Sequence, residues 1–233
     1  MAKKKSKALN TTIEVDIVSD FVCPWCWLGY KLFLKGAQQA QKQLKAQINL
    51  SWRPYMLDPT TPEDGTDYKA YMAKKFGNTP DNKFKAMRAI LEEKGPELGI
   101  QYDFGAIKIR PNTLSAHRLM RWAQGQDVGQ PCADELFIAF MEKGGDIGNI
   151  DTLCAIADKI GMDADIVRGL LGEDKDKLEV QNEIMFFRGL GISGVPTFIY
   201  NGQFAVQGAQ DPAAHLNAIQ QALNAPNPEQ AAS

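Results

Sequence analysis

Histidine and cysteine are scarce in this chain: two and four respectively among 233 residues. With so few of the ligands that zinc and the softer transition metals take, no second Cys pair or Cys/His pair completes a metal site around Cys23 and Cys26. An excess of one charge is also missing. The 26 lysines and arginines stand against 28 aspartates and glutamates, and a formal net charge of −2 gives no pointer to nucleic acid or to an anionic membrane. No apolar run approaches the ~18–20 residues that span a bilayer. The one basic cluster, Lys3-Lys4-Lys5 with Lys7, is not followed by an apolar stretch, so it does not read as a secretory signal. Residues 1–12 read as a disordered basic tail. A soluble, cytoplasmic protein is expected, with no nucleic-acid or membrane partner. In reducing cytosol a permanent disulfide is disfavoured and a cycling pair is not. No internal repeat is found.

What the chain does contain is Cys23-Pro24-Trp25-Cys26, two thiols spaced to close a small reversible ring. Before it, Ile13-Glu14-Val15-Asp16-Ile17-Val18 alternates apolar and polar, which predicts a strand over 13–19. After it an amphipathic helix is predicted from Pro24 to Leu44, with Leu28, Leu32 and Leu44 facing the core. Pro24 suits the first helical turn, where its missing N–H has no partner to lose. Ile48, Leu50 and Trp52 alternate as a second strand that Pro54 ends, completing a β-α-β unit.

From Asp58 to about Gly172 the pattern is helical. Helices are predicted over Tyr68–Phe76, Pro80–Lys94, Asn112–Gln124, Cys132–Lys143, Ile150–Ile160 and Ala164–Leu171, with a further one over Lys175–Gly189. The C-terminal part returns to strands at Val195–Tyr200 and Gln203–Gln207, joined by the hairpin signal Asn201-Gly202. A last helix covers Pro212–Leu223. The expectation is an α/β protein, a mixed sheet built from 13–57 and 173–224, interrupted by an all-helical insertion over 58–172 and followed by a disordered tail over 225–233.

The chemistry follows from position. A thiolate attacks a disulfide sulfur, whereas a thiol hardly does. A helix N-terminus favours negative charge, and the N–H groups of Trp25 and Cys26 can point at the Cys23 sulfur. Cys23 is then the nucleophile, and Cys26, one turn into the helix and more enclosed, is the resolving thiol. A structural disulfide or half a zinc site are the plainer readings. Gly194-Val195-Pro196-Thr197-Phe198 is the second signal. A proline opening a strand cannot donate to the ladder. From the dipeptide alone a trans bond is the default, and a cis bond would offer the Val195 backbone to an extended substrate.

These two motifs together resemble the thioredoxin superfamily, and the helical insertion resembles its DsbA-like branch. The chain is most similar to the FrnE-like subgroup, whose relatives include 2-hydroxychromene-2-carboxylate isomerase and kappa-class glutathione transferase. The resemblance extends through Trp52-Arg53-Pro54-Tyr55, Asn112-Thr113-Leu114-Ser115-Ala116-His117-Arg118-Leu119 and Gln207-Gly208-Ala209-Gln210. It implies a thioredoxin fold, a cleft under the insertion, a cis Val195–Pro196 bond packed against Cys23, and dithiol–disulfide exchange on a protein or small thiol. It also implies that Pro24, Trp25, Val195 and Pro196 contact substrate. No tightly bound cofactor is implied, and glutathione is a candidate co-substrate. The isomerase and transferase relatives commonly carry Ser where this chain has Cys23, and an Asp-Arg pair where this chain reads Gly208-Ala209-Gln210-Asp211. Both differences speak against glutathione-dependent isomerisation.

Other residues carry two readings each. His117 can face the cleft and bind substrate or steady the thiolate, or it can be a packing histidine. Asp20, raised toward neutrality by burial, can relay a proton from Cys26, or it can be a loop aspartate. Trp25 is expected near the site and Trp27 in the core. Cys154 reads as a buried inert thiol, and Cys132 could pair with it only if the fold brings their Cα atoms within ~7 Å. Met120, Met141, Met185 and the Phe186-Phe187 pair read as core. Three functions compete: a thiol–disulfide oxidoreductase, a glutathione-dependent isomerase or transferase, and a non-catalytic binding module or holdase chaperone. The protein is expected to act as a monomer or homodimer.

Overall fold

The structure, a computed structural model, describes residues 12–77 and 83–225. Except for Thr12 and Ala225, the expected disordered tails fall outside the described residues, as does the predicted helix start at Pro80. β1 (Thr12–Ser19) follows the alternation: Ile13, Val15 and Ile17 are buried, while Thr12 and Glu14 are exposed. α1 (Pro24–Leu44) buries Tyr30, Phe33, Ala37 and Ala40, a stripe at helical spacing, and ends at Lys45 in the left-handed conformation. β2 (Gln47–Pro54) returns parallel to β1, in register from Thr12 opposite Gln47 to Ser19 opposite Pro54.

The insertion opens with β3 (Thr66–Asp67), α2 (Tyr68–Phe76) and α3 (Lys83–Lys94), then a 3₁₀ turn at Pro96–Leu98 and β4 (Ile109–Arg110). α4 (Leu114–Gly125), α5 (Gly129–Phe137), α6 (Ile150–Lys159), α7 (Ala164–Gly172) and α8 (Lys177–Gly189) complete it, and α5 runs on into a π turn at Ile138–Glu142. β5 (Thr197–Tyr200), β6 (Phe204–Gln207) and α9 (Pro212–Asn224) close the chain. The main sheet has the order β2-β1-β5-β6, with β1 and β2 parallel and the other pairs antiparallel. This is a thioredoxin-like fold, a mixed four-stranded sheet carrying a helical insertion. At the predicted hairpin, Asn201 and Gly202 both have positive φ, at 49° and 65°, and the Gln203 N–H closes the turn onto the Tyr200 carbonyl at 3.0 Å. Pairing resumes with Tyr200 opposite Phe204, so the loop holds three residues rather than two.

Two expectations change. The insertion is not all-helical, because β3 and β4 pair as an antiparallel ribbon of two residues each, too short for any periodicity to mark. Met185 and Phe186 are not core: they are 67% and 60% exposed. α8 is a surface helix that buries only Val180, Ile184 and Phe187, and adjacent positions such as 186 and 187 point about 100° apart, so one side chain excludes the other from the core. Met120 and Met141 are buried.

The sheet core and the insertion core are continuous. Trp27 of α1 stacks on Phe137 of α5, ring centroids 5.7 Å apart, and Trp52 of β2 meets the same ring at 6.1 Å. The insertion also closes the open edge of the sheet. The Gln124 side chain accepts from the Trp52 N–H at 2.6 Å and donates to the Trp52 carbonyl at 3.1 Å, doing for β2 what a further strand would do. No helix among the described residues is long and apolar enough to cross a membrane.

Candidate active site

The turn after β1 delivers the dithiol to the start of α1. The Cys23 N–H donates to the Asp20 carbonyl at 3.0 Å, and the Cys26 N–H donates to the Cys23 carbonyl at 3.0 Å. Cys23 is the N-cap residue of α1, with extended backbone (φ −95°, ψ 110°) and Pro24 directly behind it. Its side chain makes no capping bond. The expected reach of the Cys26 amide to the Cys23 sulfur is therefore not seen, because that N–H is already taken by the carbonyl. Instead the thiol donates to the Val195 carbonyl, with Sγ and O 3.7 Å apart. Val195–Pro196 is a cis peptide. Gly29 lets α1 approach this loop closely, since a Cβ there would lie 2.8 Å from Pro196 Cγ and 3.2 Å from Ala209 Cα. On the far side the Pro196 carbonyl accepts from the Gly208 N–H at 2.7 Å.

The two sulfurs are both free thiols in different surroundings. Cys26 is wholly enclosed (0% exposed), and this burial holds its thiol well above the ordinary range, with the neighbouring Cys23 sulfur pushing the same way. The Ser19 hydroxyl and the Asp20 backbone oppose the shift without reversing it. Cys23 is only 4% exposed, but it lines a cleft of about 830 Å³, open solvent at its mouth included. Pro24, Trp25 and Val195 line the same cleft, and Trp25 is half-buried there, whereas Trp27 is core.

Asp20 and His117 take other places. Asp20 is fully buried, and that burial raises its carboxyl. His117, the Arg110 charge and the Leu57 N–H, which donates to Oδ2 at 2.8 Å, outweigh the burial, so the net direction is down. A carboxyl held as the anion does not fit the expected relay, which needs a group titrating near neutrality. His117 is buried too. Its Nε2 donates to the Tyr55 carbonyl at 3.0 Å and lies 3.8 Å from Asp20 Oδ1. It faces a separate cavity with Ser19, Phe21 and Trp52, not the cleft beside Cys23. The expected substrate-binding histidine is thus part of the packing behind the site. Cys132 and Cys154 are buried free thiols on α5 and α6.

Sequence reasoning missed what the insertion brings. Tyr102, in the loop before β4, donates its hydroxyl to the Pro24 carbonyl at 2.8 Å and sets its ring against Trp27. Tyr71 and Lys75 of α2 and Arg110 of β4 form part of the cleft wall. None sits in a motif, and only the two-residue ribbon carries Arg110 to the site. Among the described residues no cluster of three His, Cys, Asp or Glu could hold a metal ion.

A thioredoxin-like sheet, a paired Cys23 and Cys26 at a helix start, and a cis Val195–Pro196 bond whose Val195 carbonyl accepts from the first sulfur define a class of dithiol proteins, with Pro196 itself buried behind the cleft lining. The DSBA-like thioredoxin domain matches residues 14–220, and the chain belongs to that family of oxidoreductases. The chain is 25% identical over 201 residues to the uncharacterized protein YwbO of Bacillus subtilis (strain 168), a match covering 85% of this chain and 91% of that one. It is 24% identical over 159 residues to human glutathione S-transferase kappa 1, covering 67% and 66%. Its fold is similar to that of the probable DsbA oxidoreductase SCO1869 of Streptomyces coelicolor, with a TM-score of 0.83, 24% identity and coverage of 93% and 92%.

Proposed function

We propose that the protein is a thiol–disulfide oxidoreductase of the FrnE-like kind, working in the cytoplasm on protein or small-molecule thiols and disulfides. One observation carries the reading: Cys23 opens onto a cleft at the start of α1 while Cys26 is sealed behind it. Cys23, as the thiolate, attacks a substrate disulfide. One substrate sulfur leaves as a thiol and the other stays bound to Cys23. Cys26 then gives up its proton and attacks Cys23, which releases the second substrate thiol and leaves a Cys23–Cys26 disulfide. The raised Cys26 thiol suits this order, since it stays protonated until a mixed disulfide forms beside it. Val195 and Pro196 position the substrate next to the reacting sulfur.

Insulin reduction by the reduced protein tests the proposal. Cys23→Ser should abolish turnover, and Cys26→Ser should instead accumulate a mixed disulfide detectable by intact mass. Retained activity in Cys23→Ser would overturn the reading. If that activity required glutathione, it would select the transferase reading, which the likeness to human glutathione S-transferase kappa 1 keeps in view. Suppression of client aggregation unchanged by loss of both thiols, with no reductase activity, would select a holdase. An equilibrium titration against glutathione then sets the direction of electron flow.

A further inference from the structure

The cleft is apolar along most of its wall, with Phe84, Met87 and Phe104 among its lining residues, yet one buried cation stands in it. Arg110 is only 5% exposed. Among the described residues its guanidinium has a single hydrogen bond, from Nη1 to the Pro111 carbonyl at 3.3 Å, and lies 5.0 Å from the centre of the Tyr71 ring. No ion pair among the described residues includes Arg110. A guanidinium carries five N–H donors, and a buried charge left this short of partners is costly unless something else satisfies it. Lys75 adds a second cation on the same ring. Its Nζ lies 5.3 Å from the Tyr71 centroid and donates to the Tyr71 hydroxyl at 3.0 Å.

The carboxylates that sense these cations do not cap them. Asp58 feels both Arg110 and Lys75, but its Oδ1 is taken by the Thr60 N–H and hydroxyl at 3.1 and 2.6 Å. Asp20 feels Arg110 from its enclosed place, where it accepts from Leu57.

Resting on the oxidoreductase reading, we propose that the cleft selects small disulfides whose sulfur carries an aromatic or similarly apolar body ending in a carboxylate, with Arg110 binding that carboxylate. Few convergent polar groups on an apolar wall is how small-molecule sites set orientation. Arg is the side chain whose planar fork matches a carboxylate. Oxidised glutathione, with several charges and little apolar surface, matches this wall poorly. The reaction stays balanced within the pair: the reduced protein and one aryl disulfide give the Cys23–Cys26 disulfide and two aryl thiols, two electrons passing to the substrate.

A single-turnover comparison tests this with the pre-reduced full chain and no other reductant. The probes are dithiobis(nitrobenzoate), which is aromatic and carboxylated, dithiodipyridine, which is aromatic and neutral, and oxidised glutathione. Each rate is divided by that of a free model thiol, to remove intrinsic reactivity. Arg110→Gln should lower the ratio of the carboxylated to the neutral probe by about tenfold or more, and Arg110→Lys should restore part of it. Lys75→Gln, at a less buried position, should lower the same ratio by a smaller factor and serves if Arg110→Gln does not fold. An unchanged ratio in these variants, or glutathione outpacing both aryl disulfides in the wild type, would overturn the inference while leaving the oxidoreductase reading intact. No Cys23-dependent reaction with any probe would instead overturn the functional reading, and this inference with it.

Discussion

At the scale of single residues, the molecule commits several titratable groups to one protonation state. His215 is the sharpest case outside the site. Its Nδ1 accepts from the Tyr200 hydroxyl at 2.7 Å, which leaves Nε2 buried without a partner among the described residues. Burial lowers the imidazole from an ordinary 6.5 to about 4. The folded state therefore binds this proton less readily than the unfolded chain does. Stability from this group is complete above pH 6.5 and falls as pH drops from there toward 4, by up to about 3 kcal/mol. The lowered carboxyls of Asp20 and Asp58 act in a lower window, since they weaken the fold only as pH falls below about 3.8. Urea midpoints from pH 7 to pH 4 should drop for the native chain, and His215→Gln should flatten that dependence even if it lowers the midpoint at pH 7.

Among the elements, α1 starts at the dithiol and packs against the proline loop, and Gly29 marks how closely. Gly29→Ala forces a Cβ to within 2.8 Å of Pro196 Cγ, so the helix and the proline loop must separate. A loss of about 1–3 kcal/mol is expected in denaturant unfolding. Gly125→Ala is the control, since nothing lies within 4 Å of the added Cβ, and the same change should be neutral or slightly stabilising there. The elements were also the most legible level of the sequence. α1 and α2 begin and end where periodicity and caps place them, and the hairpin sits at its Asn-Gly. What escaped was short or non-local. The β3–β4 ribbon has too few residues to show a period, and Arg110 reaches the cleft only through it. His117 carried a family-like motif but could not announce that it would pack against Tyr55 rather than face substrate. Phe186-Phe187 read as one apolar unit although a helix must split such a pair.

Across the whole molecule, two of the hydrogen-bonded joins between the insertion and the rest of the fold do different work. Tyr102 ties the insertion to the first turn of α1, and Gln124 clips the exposed edge of β2. Gln124→Ala removes both hydrogen bonds of that clip and uncovers an edge strand. A loss of about 1–3 kcal/mol should appear in chemical denaturation, with concentration-dependent aggregation on mild heating that the native chain does not show. Neither join was legible in advance, because each pairs residues more than seventy positions apart through a single side chain.

The sealed position of Cys26 has one more consequence for the proposed exchange. Once the pair is oxidised, an incoming nucleophile can reach the disulfide only at Cys23, through the mouth by which the disulfide substrate entered. In that proposed exchange, donor and acceptor of electrons take turns at a single doorway, and each keeps the other waiting.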